Sequence, residues 1–149
     1  MKAIGFYQFL PVEDPASLVE VEVPTPEPGA RDLLVRVKAV SVNPVDVKVR
    51  SRQKTVVTEP RIIGWDAAGV VESIGRDVSL FKAGDEVYYA GDITRPGCNS
   101  QFHLVDERIV GRKPPPGAGS TAPTTTPGSP PPPTPSPRCR TSSGSARST

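Results

Sequence analysis

The chain has 149 residues and a formal net charge of +2, with 18 Lys and Arg against 16 Asp and Glu. The length suits one ordinary domain, and the near balance of charge argues against a nucleic-acid or membrane partner. No apolar run reaches the roughly 20 residues of a membrane span, and no secretory signal opens the chain, so we expect a cytoplasmic protein. The only cysteines are Cys98 and Cys139, which excludes a disulfide framework.

Two parts of unlike composition make up the chain. Residues 114–149 hold 11 of the 19 prolines and no Asp, Glu, Val, Leu, Ile, Met, Phe, Tyr or Trp. Such a segment has almost nothing to bury against the entropy cost of ordering its backbone. We therefore predict one domain over residues 1–113, followed by a disordered tail rich in Pro, Ser and Thr over residues 114–149.

Short β signals dominate the first part. A strand is predicted over residues 2–7, and residues 18–23 alternate valine with glutamate, as in a half-buried strand. The longest β-branched run covers residues 33–42. Further short strands are predicted over residues 67–74, 86–90, 101–105 and 108–111. Short strands at such spacing are typical of a small barrel or sandwich, so the predicted fold class is mainly β.

One helical start follows the long strand. Asn43 is a good N-cap, Pro44 suits the first helical position, and Asp46 favours the positive end of the helix. The helix should run to about Gln53.

Side-chain alternation and clustering give three more expectations. Tyr88 and Tyr89 should point to opposite faces of their strand, one inward and one outward. His103, the single histidine, should share a solvent-facing side with Gln101. A loose basic cluster should lie in a solvated loop; it comprises Arg50, Arg52, Lys54 and Arg61.

Three segments together resemble the N-terminal, GroES-like catalytic domain of the medium-chain dehydrogenase/reductase superfamily. They are Val40-Ser-Val-Asn43-Pro-Val-Asp46, Gly64-Trp-Asp-Ala-Ala-Gly69-Val-Val-Glu-Ser-Ile-Gly75, and Phe81-Lys-Ala-Gly84-Asp85-Glu-Val87. The resemblance implies a partly open GroES-like β-barrel with one or two short helices. It is closest to the zinc-independent, quinone-oxidoreductase-like branch, in a group often named zinc-type alcohol dehydrogenase-like proteins. The glycines of these segments suit bulges and close backbone approaches rather than chemistry.

The resemblance also suggests site residues. In zinc-dependent relatives a Cys ligand stands at the place of Asn43 and a His ligand at the place of Trp65, so a zinc site is not expected here. Asn43 would face the nicotinamide and the substrate, with Asp46 as a second catalytic residue, while Trp65 and Asp66 would border the substrate pocket. Plain structural roles remain open for all four. Asn43 could be only an N-cap and Asp46 a helix-start carboxylate. Trp65 could be a core ring and Asp66 a hydrogen-bond acceptor at a strand end.

The implied family function is NAD(P)H-dependent reduction of a small carbonyl, enone or quinone substrate by an enzyme that could be a homodimer. The cofactor belongs to a second, Rossmann domain. Residues 117–122 match the letters of its glycine motif, but prolines surround them and no carboxylate follows, so we reject that motif. We therefore expect a truncated chain that binds no nicotinamide cofactor and is inactive alone.

The tail admits two interpretations. Its residues have GC-rich codons or codons that a shifted frame in GC-rich DNA readily produces. The tail could therefore be the gene segment of the second domain, translated in a shifted frame. Alternatively, the spacing of its prolines over residues 130–135 could make a proline-rich ligand on a non-catalytic barrel module. A co-chaperonin-like ring is a further alternative that rests on fold analogy alone.

Overall fold

Eight strands, one α-helix and one turn of 3-10 helix follow each other along residues 1–114, the part of the chain that the computed structural model describes. The elements in chain order are β1 (Lys2–Phe6), β2 (Val19–Glu22), β3 (Asp32–Ser41), α1 (Pro44–Arg52), β4 (Arg61–Ile62), β5 (Asp66–Ile74), β6 (Glu86–Ala90), β7 (Phe102–Asp106), the 3-10 turn (Glu107–Ile109) and β8 (Val110–Arg112). The predicted boundary at residue 113, the tail and its glycine motif fall at or beyond the end of that part.

The strands form two antiparallel sheets. The smaller sheet has the order β2-β1-β4, and the larger has the order β7-β3-β5-β6-β8. Over the described residues the sheets do not close into a barrel, as the resemblance to a partly open GroES-like fold implies. The mainly β prediction is thus confirmed.

The longest strand, β3, is the centre of the larger sheet. Its first half pairs with both β5 and β7, whereas residues 39–41 pair with β5 alone. Two register irregularities, at Leu34/Val35 and Val37/Ala39, interrupt the pairing with β5. Bulges of this kind bend and twist a strand. The end of β3 is not paired with β7, and α1 begins three residues after it.

Two apolar clusters lie beneath these sheets. The larger is built on Leu33, Val35, Val71, Val87 and Val105, which are almost completely buried. The smaller joins Phe6, Ile63 and Trp65, and partly buried Val45 and Val49 of α1 pack against it. The smaller cluster fixes the helix against the segment that contains Trp65.

Most predicted elements agree with the structure to within two residues at each end, and Tyr89 points inward while Tyr88 is exposed, as expected. The structure adds one strand that was not predicted and overturns one expectation. The two-residue strand β4 was not predicted, because it is too short to show alternation. His103 was predicted to face solvent, but it is buried, since the neighbouring segment 91–97 folds over its strand and covers it.

The basic cluster is also less uniform than predicted. The Arg50 guanidinium is half-buried, donates to the Leu10 carbonyl at 2.5 Å and lies over the Phe9 ring, so Arg50 belongs to the fold. Arg61 is exposed and donates to Gln53 at 2.9 Å. No helix among residues 1–114 is long and apolar enough to span a membrane.

Candidate functional site

The Asp46 carboxylate joins two segments that are distant in sequence. One oxygen accepts the backbone N–H of Asn43 at 2.7 Å, and the other accepts the backbone N–H of Gly64 at 2.9 Å. Asp46 is only 4% exposed, so both bonds form away from bulk solvent. A buried carboxylate with both oxygens bonded to backbone donors is well satisfied. Asp46 therefore fixes the start of α1 against the turn before β5.

That turn requires a glycine. Gly64 has φ of +90°, a conformation that residues with a side chain rarely adopt. A Cβ atom there would also lie 2.5 Å from the Asn99 side-chain oxygen. The tight turn sets the direction in which Trp65 and Asp66 leave the loop.

Asn43 and Asp66 are in direct contact. The Asn43 side-chain amide donates a short hydrogen bond to the Asp66 carboxylate. This bond fixes which end of the amide carries nitrogen, since a carboxylate oxygen can only accept. One amide N–H of Asn43 has no hydrogen-bond partner among residues 1–114, whereas its side-chain carbonyl takes part in the capping box of α1 with the backbone N–H of Asp46. Both residues are half-buried, so a further partner can approach from outside.

The Trp65 ring points elsewhere. Its indole N–H donates to the Arg95 carbonyl at 3.4 Å, and the ring is 4% exposed within the smaller apolar cluster. The structure thus brings Asn43, Asp46 and Asp66 into one hydrogen-bonded set and turns the Trp65 side chain toward a different segment.

That segment, residues 91–97, borders a groove with a volume of about 750 Å³. Trp65 contributes to its lining, whereas Asn43, Asp46 and Asp66 do not. The groove is thus lined by Trp65, the chain neighbour of Asp66, and not by the three hydrogen-bonded polar residues.

The sequence did not reveal the ion pair between Arg95 and Asp32, which holds segment 91–97 at the border of the groove. The Arg95 guanidinium makes two hydrogen bonds of 2.9 Å to the Asp32 carboxylate. These hydrogen bonds to Arg95 lower the pKa of Asp32, and the same pairing raises the pKa of Arg95. The residues are 63 positions apart, so no local pattern could have found them.

A buried Tyr–His pair lies behind the same segment. The Tyr89 hydroxyl is 3.0 Å from Nδ1 of His103, and Nε2 of His103 is 3.0 Å from the Pro96 carbonyl. Because a carbonyl only accepts, Nε2 carries the proton and the Tyr89 hydroxyl donates to Nδ1 in the neutral ring. Burial raises the pKa of Tyr89 and lowers that of His103. Both side chains are therefore uncharged at neutral pH.

Cys98 lies close to the polar set but is not poised to react. Its Sγ is 3.8 Å from the Asp66 backbone carbonyl, and it is completely buried. Burial raises the pKa of the Cys98 thiol to about 12, with further contributions from the Asp46 and Asp66 carboxylates. The nucleophilic thiolate is therefore disfavoured.

Comparison with known proteins identifies the fold. Residues 29–126 match the family described as the alcohol dehydrogenase GroES-like domain. A zinc-type alcohol dehydrogenase-like protein of Staphylococcus aureus is 46% identical over 114 residues, a stretch covering 76% of this chain and 34% of that protein. The chain belongs to the alcohol dehydrogenase GroES-like domain family. The resemblance to the medium-chain dehydrogenase/reductase superfamily is confirmed.

Solved structures agree with this assignment. A Rhizobium etli protein named a candidate zinc-dependent alcohol dehydrogenase is 60% identical, with a TM-score of 0.72 over 76% of this chain and 33% of that one. An Escherichia coli quinone oxidoreductase complexed with NADPH is 27% identical, with a TM-score of 0.63 over the same shares. The chain thus spans about a third of the length of these relatives.

The names of the Staphylococcus aureus and Rhizobium etli relatives mention zinc, but the donors at Asn43 and Trp65 do not fit that ion. Asn43 offers only an amide oxygen where zinc prefers a thiolate, an imidazole or a carboxylate, and an indole such as that of Trp65 offers no ligand to zinc. Within residues 1–114, no three His, Cys, Asp or Glu side chains are grouped so that they could hold a metal.

Proposed function

We propose that residues 1–113 form the substrate side of an NAD(P)H-dependent oxidoreductase that reduces a small carbonyl, enone or quinone compound without zinc. The observation that carries the proposal is the Asn43–Asp66 hydrogen bond at the junction of β3 with α1. It orients an amide at a half-buried, open position. The names of relatives, a quinone oxidoreductase with NADPH among them, support the reaction class.

In this proposal Asn43 is the catalytic residue that touches substrate. Its remaining amide N–H donates to the acceptor oxygen, where negative charge develops as hydride arrives. NAD(P)H, when bound by the intact enzyme, supplies that hydride. The Asp66 carboxylate, at the pocket border, keeps the amide in one orientation, in which the nitrogen donates one N–H to Asp66 and the other to the substrate oxygen.

Asp46 takes a positioning role in the same proposal. Both its oxygens are bonded to backbone N–H groups, so it does not reach a substrate directly. It holds the Asn43 backbone and the Gly64 turn at a fixed separation. Trp65 stabilises this arrangement because the smaller apolar cluster, to which it belongs, packs against α1.

The first test uses the purified chain with NADPH and 1,4-naphthoquinone. We expect no saturable NADPH binding and no saturable NADPH oxidation, because the chain covers only about a third of its relatives. Saturable turnover by the chain alone would contradict the proposal.

The second test grafts residues 1–113 in place of the matching third of the Staphylococcus aureus relative. We expect NADPH-dependent quinone reduction that withstands a zinc chelator. The Asn43→Ala change should lower kcat about 100-fold, as the loss of one oxyanion donor does. The exposed Asp77→Ala change is the matched control. An active graft that tolerates Asn43→Ala, or loses activity to the chelator, would refute the proposed mechanism.

The alternative of a non-catalytic module with a proline-rich arm depends on residues beyond 114. A pull-down of a proline-binding partner that requires residues 130–138 would favour it.

A further inference from the structure

His103 is a buried titratable group that has no part in the proposed reaction. It lies on β7, is 5% exposed, and is covered by the segment 91–97. The Tyr89 hydroxyl donates to Nδ1 and Nε2 donates to the Pro96 carbonyl, each over 3.0 Å, and the Tyr89 and His103 rings stack with centroids 5.5 Å apart. These contacts use both ring nitrogens in the neutral form of the imidazole.

A protonated His103 ring does not fit this arrangement. Both of its nitrogens would carry protons, so Nδ1 could no longer accept from Tyr89. The buried Tyr89 hydroxyl makes no other hydrogen bond among residues 1–114 and would lose its acceptor. A buried imidazolium and a buried hydroxyl without an acceptor both cost free energy.

The surrounding groups do not offset a charge on the His103 ring. Burial raises the pKa values of Tyr89 and Cys98, so both are neutral. Three carboxylates lie around the ring, and each is already engaged: Asp32 with Arg95, Asp106 with Arg108, and Asp92 with Thr94. The other charged groups along the groove that His103 borders cancel one another: the Met1 amino group, Glu22, Glu59 and Arg61.

The covering segment is the part of this region that can move without breaking a sheet. It lies between the end of β6 at Ala90 and the start of β7 at Phe102. A glycine stands at each end: Gly91 donates its backbone N–H to the Trp65 carbonyl at 2.7 Å, and Gly97 donates to the Ile62 carbonyl at 3.0 Å. Between them, the pair of Arg95 with Asp32 is the ionic anchor of the segment.

We propose that segment 91–97 is an acid-sensitive cover, which leaves the His103 ring when that ring is protonated and thereby opens one wall of the groove. Water stabilises an imidazolium, so the uncovered state binds a proton more tightly than the covered state, and acid populates it by linkage. The inference uses neither Asn43 nor a bound cofactor, so it does not rest on the function proposed above.

The direction of the pH dependence follows from burial. Burial lowers the pKa of His103 in the covered state below its ordinary 6.5, which the uncovered ring regains. The cover therefore stays closed above pH 6.5. Between that value and the pKa of the covered state, uptake of one proton raises the open population by up to about tenfold per pH unit.

The test is native-state hydrogen exchange on the ¹⁵N-labelled full chain between pH 7.5 and pH 5, in low concentrations of urea. The Gly91 and Gly97 amides report on the segment, and the amides of β3 and β5 report on global unfolding. After correction for intrinsic exchange rates, we expect the protection of both glycine amides to fall below pH 6.5 with little dependence on urea. The strand amides should depend steeply on urea. In His103→Gln, the protection of the two glycine amides should not change with pH.

A second variant keeps His103 and weakens the anchor. Asp32→Asn removes the ionic partner of Arg95 and should lower the protection of Gly91 and Gly97 at least about tenfold at pH 7. Asp85→Asn, which breaks an ion pair with Arg112 outside the segment, is the matched control and should leave that protection unchanged.

Four results would each overturn the inference. The two glycine amides could keep the same corrected protection at every pH, or they could exchange with the urea dependence of the strand amides. His103→Gln could retain the pH dependence, or Asp32→Asn and Asp85→Asn could behave alike. If His103→Gln does not fold, the pH profile of the unaltered chain and the two aspartate variants still decide.

Discussion

The carboxylate of Asp46 accepts the backbone N–H of Gly64 at 2.9 Å, although 18 residues separate them in the chain. The same carboxylate accepts the backbone N–H of Asn43. Through one buried side chain, the start of α1 and the turn before β5 keep a constant separation. The contact between Asn43 and Asp66 depends on that separation, because each residue is adjacent to one of the two bonded segments.

Removing the Asp46 carboxylate should therefore be costly. We expect Asp46→Ala to lower the free energy of unfolding by about 2–4 kcal/mol, since two buried backbone donors lose a charged acceptor. Urea denaturation followed by circular dichroism measures this loss. Asp77→Ala, at an exposed carboxylate, should change stability by less than about 0.5 kcal/mol. Equal effects of the two substitutions would show that the hydrogen bonds of Asp46 contribute little to stability.

A comparison with Gly84 separates two costs of replacing Gly64, the backbone strain of a positive φ and the steric overlap of an added Cβ atom. Both glycines have φ near +90°, but a Cβ at Gly84 would meet nothing within 4 Å, whereas one at Gly64 would meet Asn99. We expect Gly84→Ala to cost about 1–2 kcal/mol from backbone strain alone. Gly64→Ala should cost about 3 kcal/mol or more, because overpacking is added. Similar unfolding midpoints would mean that Asn99 moves aside freely.

Replacing Asn43 by a charged residue tests its contact with Asp66 directly. We expect Asn43→Asp to destabilise the protein by about 2 kcal/mol at pH 7, because two carboxylates would then meet without a donor between them. The double variant Asn43→Asp with Asp66→Asn restores one donor and should recover most of the loss. A double-mutant cycle by chemical denaturation measures the recovery, and simple additivity would show that the two side chains do not interact.

His103 should make stability depend on pH. Burial lowers its pKa below the ordinary 6.5, so the unfolded chain binds a proton more readily than the folded one. This contribution to stability is fully present above pH 6.5 and is lost as the pH falls through the folded pKa. It is the only histidine, so His103→Gln should flatten the decline in stability between pH 7 and pH 5.5. An unchanged decline in this variant would assign the effect to other groups.

A good part of this fold was predictable because strands and helix starts are local. The alternation of Val19 to Glu22, the β-branched run of β3 and the Asn43-Pro44 start of α1 all agree with the structure. Alternation also separated Tyr88 from Tyr89 correctly. The same rule failed at His103, because alternation tells which residues share a face but not whether another segment covers that face.

What the sequence determined by itself was the local structure and, through three short segments, the family. Those signals depend on backbone conformation and side-chain period, which neighbouring residues decide. Only the tertiary structure decided that Asp46 bonds to Gly64, that Arg95 pairs with Asp32, and that Trp65 turns away from Asn43. These contacts join residues 18 to 63 positions apart, and their partners are chosen by how the sheets and loops pack, which no local pattern encodes.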